Sequence, residues 1–202
     1  MAVKEVYKAA VEGRSDDEGK IIFGRITEAL VKGVWIFGMP RMLNAFYPLE
    51  PEVNRAHVPE HTPRENMKNP LDYTERGLKQ FRTIWGLSEG NDYFLRAYDI
   101  APELRNCRLV LQLMLGQLGI YINYGAYVSD VSVLSAVETS QIVIASLLPL
   151  DVPQVKGHMI GLQRNGGTKE QAFYAVDIAE TIARAMGINL TIPIPSADEI
   201  EV

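Results

Sequence analysis

The spacing of its apolar residues constrains this chain most. Hydrophobic side chains recur at intervals of three and four along nearly the whole length, while the apolar–polar alternation of a half-buried strand is almost missing. That period suits an α-helix and puts a strand's side chains on the wrong faces, so the chain reads as an all-α domain. Helices are expected over residues 2–11, 16–37, 40–48, 73–86, 91–98, 102–124, 136–149, 152–165 and 169–186. Start and stop signals are clearest in the last third. Ser135 with Glu138, Asp151 with Gln154, and Thr168 with Gln171 each have the form of a capping box. Gly166 and Gly167 supply a stop after Asn165.

With 202 residues, 47% of them hydrophobic, the chain can bury one substantial core, and a single domain is expected over residues 1–190. The stretch PLEPEVNRAHVPEHTPRENMKNP, residues 48–70, holds five prolines and many charges. A long helix cannot run through it, because each proline lacks an amide donor and collides with the preceding turn. Residues 51–70 are therefore read as a connector, and residues 191–202, in LTIPIPSADEIEV, as an extended acidic tail outside the core.

Composition removes several classes of function. A formal charge of −5 without a basic stripe argues against nucleic acid, whose binders cluster Lys and Arg to displace counterions. The single cysteine, Cys107, can form neither an internal disulfide nor a dithiol pair, and it fits a reducing compartment. Within ELRNCRLVLQLML it reads as a small packing residue, since no activating neighbour is evident. The first twenty residues carry no hydrophobic signal core, and no segment reaches the roughly 18–20 apolar residues of a membrane span. A cytoplasmic protein is the expectation.

Two motif-like strings do not carry the chemistry they suggest. HVPEH, His57 to His61, matches a zinc-protease pattern, yet Pro59 between the histidines and Pro63 after them deny it the rigid helix that would aim two imidazoles at one metal. No metal is expected there. The RNGG of residues 164–167 follows a helix, where phosphate loops follow a strand, so it reads as a helix stop and no nucleotide cofactor is expected.

The stretch DVPQVKGHMIGLQRNGGTKEQ, residues 151–171, places His158 inside an amphipathic run. On a helix starting near Val152, Asp151, Gln154 and His158 project from roughly one face. Glu138, on the preceding helix of an antiparallel hairpin, lies at an axial offset of about 6 Å from His158 at 1.5 Å rise per residue, within reach of two side chains. Such a pair would raise the imidazole's proton affinity and suit it to proton transfer near neutral pH. The residues leave two readings open: an acid–base pair, or a helix cap at Glu138 beside a histidine satisfied within the core.

The order of these features resembles a known superfamily. YGAYVSDVSVLSAVETSQIVIASLLPLDVPQVKGHMIGLQRNGGTKEQAFYAV is similar to the carboxymuconolactone decarboxylase and alkylhydroperoxidase D superfamily, notably fungal members without the CxxC. RITEALVKGVWIFGMPRMLNAF resembles its other helical half, and ERGLKQFRTIWG the link between them, over about residues 5–190 in all. The resemblance implies an alkylhydroperoxidase D-like domain of two related helical halves, assembled as a homo-oligomer, whether dimer, trimer or hexamer. At the CxxC positions stand Asp151 and Gln154, which excludes thiol peroxidase chemistry. It implies a cofactor-independent lyase or isomerase acting on a small carboxylate or lactone. His158 and Glu138 would be catalytic, and Gln154, Asp151, Lys156 and Arg164 would bind substrate, the two cations through charge-assisted hydrogen bonds. The competing expectation is a non-catalytic helical oligomer that binds a hydrophobic metabolite or a protein and seals His158 in packing.

Overall fold

A computed structural model describes residues 2–65, 70–86, 111–150, 152, 154–191 and 193–202. The expected helix 91–98 and Cys107 lie outside the described residues. The all-α reading holds, and no strand occurs among the described residues. The helices are α1 (Ala2–Val11), α2 (Asp16–Phe37), α3 (Met39–Phe46), α4 (Pro70–Trp85), a π-type helix (Leu111–Val128), α5 (Ala136–Leu147), α6 (Gln154–Arg164) and α7 (Lys169–Ala185).

Local chemistry sets their ends. Ser15 caps α2 with a full capping box to Glu18, and Ser135 with Glu138 and Thr168 with Gln171 do the same for α5 and α7. Gly38, at φ 84°, stops α2, and Pro40 in the next first turn starts α3. Helix α4 begins at Pro70, a residue preset for a first turn, three positions ahead of the expected start. Helix α5 ends at Leu147 and tightens into a 3-10 turn, Leu148–Leu150, where Pro149 has no amide to continue the ladder. Asp151, the third expected cap, lies outside the described residues.

The main apolar cluster joins α5, α6 and α7 around Val143, Ile144, Val155, Met159, Leu162 and Val176. On α6 the buried positions Val155, His158, Met159 and Leu162 follow the i, i+3, i+4, i+7 spacing of one helix face. A second cluster joins α4 to the π-type helix through Phe81, Ile84, Ile120 and Tyr124. These two helices touch backbone to backbone. A Cβ on Gly77 would fall against the Ile120 carbonyl and 2.6 Å from the Gly125 amide nitrogen. Helix α4 also lies on α6 through two glycines one turn apart: a Cβ on Gly157 would meet the Trp85 ring, and one on Gly161 would stand 2.6 Å from the Ile84 side chain.

The acidic tail is part of this core. Ile200, in the 3-10 turn Ala197–Ile200, is fully buried in the main cluster, and its carbonyl accepts a 2.6 Å hydrogen bond from the Gln163 amide. The acidic residues beside it meet lysines, Glu199 with Lys156 and Glu201 with Lys169. Counting its charges alone hides Ile200, buried in the cluster, and Ile194, packed against it.

Candidate functional site

His158 sits where three helices meet. Helix α6 turns it inward, Trp35 approaches from α2 and Trp85 from α4, with ring centroids 6.4 and 5.4 Å from the imidazole. The glycine at position 157 is what lets Trp85 come so near. Trp85 is steadied by a 3.0 Å hydrogen bond from its Nε1 to the Tyr124 hydroxyl, and Trp35 leans on the Tyr124 ring at 5.9 Å. His158 is 3% exposed, and among the described residues no carboxylate lies within ion-pair distance of it. Burial alone pushes the imidazole down to about 4, so at neutral pH it is uncharged. Among the described residues the buried Trp35 indole N–H beside it has no hydrogen-bond partner.

Glu138 does not meet His158. It is the N3 residue of α5, and its carboxylate turns back to accept from the Ser135 amide at 2.9 Å and the Ser135 hydroxyl at 2.8 Å. Its other oxygen accepts from Arg25 of α2 at 2.5 Å. The Arg25 guanidinium first, then the Ser135 amide, hold this carboxyl down at about 2. The expected acid–base pair fails for a local reason. A capping carboxylate must point at its own helix start, and here an arginine neutralises it.

The remaining residues expected to bind substrate do not converge. Gln154 is exposed at the first position of α6, and Asp151 is outside the described residues. Lys156 is exposed and faces Glu199 at 3.4 Å. Arg164 donates from Nη1 to the Ile84 carbonyl at 2.9 Å, closing the end of α4. His57 and His61 also serve separate partners: His57 Nδ1 lies 2.7 Å from the Tyr7 hydroxyl, and His61 Nδ1 3.0 Å from Glu65. A depression of about 580 Å³ opens beside His57, but its cation is already engaged, Lys8 with Glu52 at 2.9 Å.

The most concentrated charge in the described residues escaped the sequence reading. Lys32 is fully buried on α2, and its Nζ donates to the carbonyls of Tyr127 and Val128 at 3.1 Å and of Asp130 at 2.5 Å. Glu28, one turn earlier and 3% exposed, lies 3.6 Å from that ammonium. Arg64 grips Glu28 with two parallel bonds of 2.6 and 2.7 Å and also donates to the carbonyls of Ala126, at 2.7 Å, and Tyr127, at 3.1 Å. Two cations thus cap the end of the π-type helix, whose last carbonyls have no partner within it, and the Glu28 carboxylate, with Asp130 farther off, balances them. Burial lowers Lys32 to about 8 against the pull of Glu28. At Asp130 burial pushes upward, but the bonds from Ser132 outweigh it and the carboxyl sits below its usual range. The visible signal was two charges four apart inside the apolar run ITEALVKGVW.

Fold and site together define a helical protein whose buried ionisable groups fasten one helix to another. No family model matches the chain, and no solved structure does. Two curated relatives do. The chain is 30% identical over 173 residues to Peroxisomal protein 2 of Schizosaccharomyces pombe, covering 85% of this chain and 74% of that protein. It is 27% identical over 182 residues to Peroxisomal protein 2 of Saccharomyces cerevisiae, covering 84% of this chain and 64% of that protein. The chain belongs to the Peroxisomal protein 2 family.

That membership corrects three expectations. The resemblance to the carboxymuconolactone decarboxylase and alkylhydroperoxidase D superfamily is overturned, since its relatives are peroxisomal proteins and no family model supports the assignment. The lyase or isomerase reading drawn from it falls as well, as does the cytoplasmic location, which conflicts with the relatives' names. Helical hairpins with a capped start, a glycine stop and an inward histidine occur wherever helices pack, so their order was too common a pattern to define a superfamily.

Proposed function

We propose that this chain is a peroxisomal, non-catalytic helical protein that acts by docking to protein and assembles as an oligomer. The names of its relatives support the location. One observation carries the rest: His158 is sealed among Trp35 and Trp85, uncharged at neutral pH and, among the described residues, without a carboxylate at ion-pair distance that could make it a proton carrier. Glu138, Arg25, Lys32, Glu28 and Arg64 are all occupied in joining helices. Large apolar side chains are also offered to solvent: Tyr174, Ile178 and Ile182 stand exposed on α7.

Two measurements test the reading. Carrying a fluorescent tag, the chain is expected to coincide with a peroxisomal marker in living cells. A cytosolic distribution in import-competent cells would refute the location. In proton NMR the His158 ring signals are expected to stay fixed from pH 8 to 6 and to ignore Glu138→Gln. A midpoint near the ordinary histidine value of about 6.5, displaced by that substitution, would return the pair to chemistry and end the non-catalytic reading.

A further inference from the structure

The acidic stretch that follows α7 is fastened the way a bound peptide is fastened. Gly187, at φ 69°, turns the chain back after the last turn of that helix, and Glu201 then meets Lys169 at the helix's first residue. Of the described residues from 187 to 193, only Leu190 is partly covered. Among the described residues no backbone–backbone hydrogen bond ties residues 193–202 to a helix, and the 3-10 turn Ala197–Ile200 closes on its own cap, Ser196 with Glu199. Side chains make the attachment. Ile200 is fully buried in the cluster of α5, α6 and α7, with Ile194 packed against it, and Gln163 of α6 donates to the Ile200 carbonyl at 2.6 Å. On one side of that isoleucine Lys156 takes Glu199 at 3.4 Å, and on the other Lys169 takes Glu201 at 2.9 Å.

These contacts select one kind of sequence. A buried seat between two lysines fits an aliphatic side chain between two carboxylates, while Gln163 holds a main-chain carbonyl, which every residue carries. A polar anchor would be left unpaired in the seat, and basic neighbours would be repelled by its rim. The geometry points to a peptide-binding site on α6 and the start of α7, filled in this chain by its own Glu199, Ile200 and Glu201. Its partner is a protein segment of the same chemistry, a branched aliphatic anchor flanked by acidic residues. This rests on the docking reading above and gives the docked protein its chemistry.

The hold is light enough to exchange. Both ion pairs are exposed, the kind worth little in water. Ile200 and its carbonyl bond therefore carry most of the attachment, against the entropy of ordering the chain on either side. A segment fastened at so few points opens without unfolding the core. While seated it blocks the partner, whose apparent affinity falls in proportion to the fraction of chains that are open.

Fluorescence anisotropy tests this on the full chain, with a labelled peptide of residues 193–202 blocked at both ends as the probe. The parent chain is expected to bind it weakly, because the seat is taken. Ile200→Asp in the chain vacates the seat, and with the segment normally seated more than about nine-tenths of the time it is expected to tighten peptide binding at least about tenfold. Should that variant lose its helical circular dichroism, Glu199→Lys with Glu201→Lys, both at exposed positions, releases the segment by repulsion and is expected to give the same gain. A peptide carrying the Ile200→Asp change is expected not to bind. One carrying both lysine changes is expected to bind a vacated chain about tenfold more weakly, and Lys156→Glu with Lys169→Glu in the chain to restore it to within about threefold. Vacated chains that ignore the parent peptide overturn the site. Binding indifferent to Ile200→Asp in the peptide overturns the anchor, and equal binding by parent and vacated chains overturns the occupancy by the chain's own segment. The peroxisomal and histidine measurements judge the broader docking reading separately, so a silent peptide removes this partner chemistry and leaves that reading to its own tests.

Discussion

Glu28→Gln is expected to lower the free energy of unfolding by about 3 kcal/mol, because it strips the nearest counter-charge from the buried Lys32 and the half-buried Arg64 while keeping the side chain's shape. Glu28 is 3% exposed and accepts both arms of Arg64, with the Lys32 ammonium 3.6 Å away. The two cations do not share the loss equally. Lys32 is already held at about 8 by burial, so without Glu28 it drops further, sheds its proton and limits its own penalty. Arg64, half-buried, cannot discharge and keeps its positive charge against the carbonyls of Ala126 and Tyr127, with only the more distant Asp130 carboxylate to offset it. For a chain of this length about 3 kcal/mol corresponds to a fall in Tm of about 6–12 °C. Urea unfolding followed by tryptophan fluorescence reads it directly. A cost below about 1 kcal/mol, the value of a solvated surface pair, would show that the carboxylate is not what joins α2 to the π-type helix.

That pair also marks the boundary of what the sequence discloses. Helices α1 and α2 fall on their expected residues because their information is local: the three-to-four period writes the face, and the start of α2 is signed by Ser15 and Glu18. Glu28 and Lys32 are equally local as residues, but four apart on a helix they have the form of a solvated i, i+4 pair. What makes them a buried network is Arg64, 36 positions away in the proline-rich connector, and the helix end that both cations cap. Spacing holds no record of such a meeting. The same is true of His57, whose partner Tyr7 is 50 residues off, and of Glu138, whose capping role was legible while its bond to Arg25, 113 residues away, was not. The exposed Tyr174, Ile178 and Ile182 of α7 were hidden differently: they keep the helical period, and period alone does not distinguish a face turned to the core from one turned to solvent.

His158 gives the second large effect, and its sign is opposite to that of a histidine gaining a partner. Its imidazole is held at about 4 in the folded chain and returns to about 6.5 when unfolded. Between those values the unfolded chain binds the extra proton, so stability rises with pH there and is lost as pH falls. The whole span amounts to about 3 kcal/mol, complete above pH 6.5 and gone near pH 4. Glu138, held at about 2, yields its own share only below its unfolded value of 4.5, and with a third of its side chain in solvent that share is smaller. The upper part of the acid limb, from pH 6.5 to 4.5, therefore belongs mainly to the histidine. His158→Leu, which fills the same space without a proton to bind, is expected to flatten that limb. At pH 7 it should cost little, since the neutral imidazole makes no ion pair among the described residues and an apolar replacement leaves no polar atom between Trp35 and Trp85. Stability curves of both proteins from pH 8 to 4.5 decide the matter. An acid limb unchanged by His158→Leu would mean that the imidazole is hydrated and free to titrate in the native chain, and the chamber of two tryptophans would not be the dry seal on which its non-catalytic character depends.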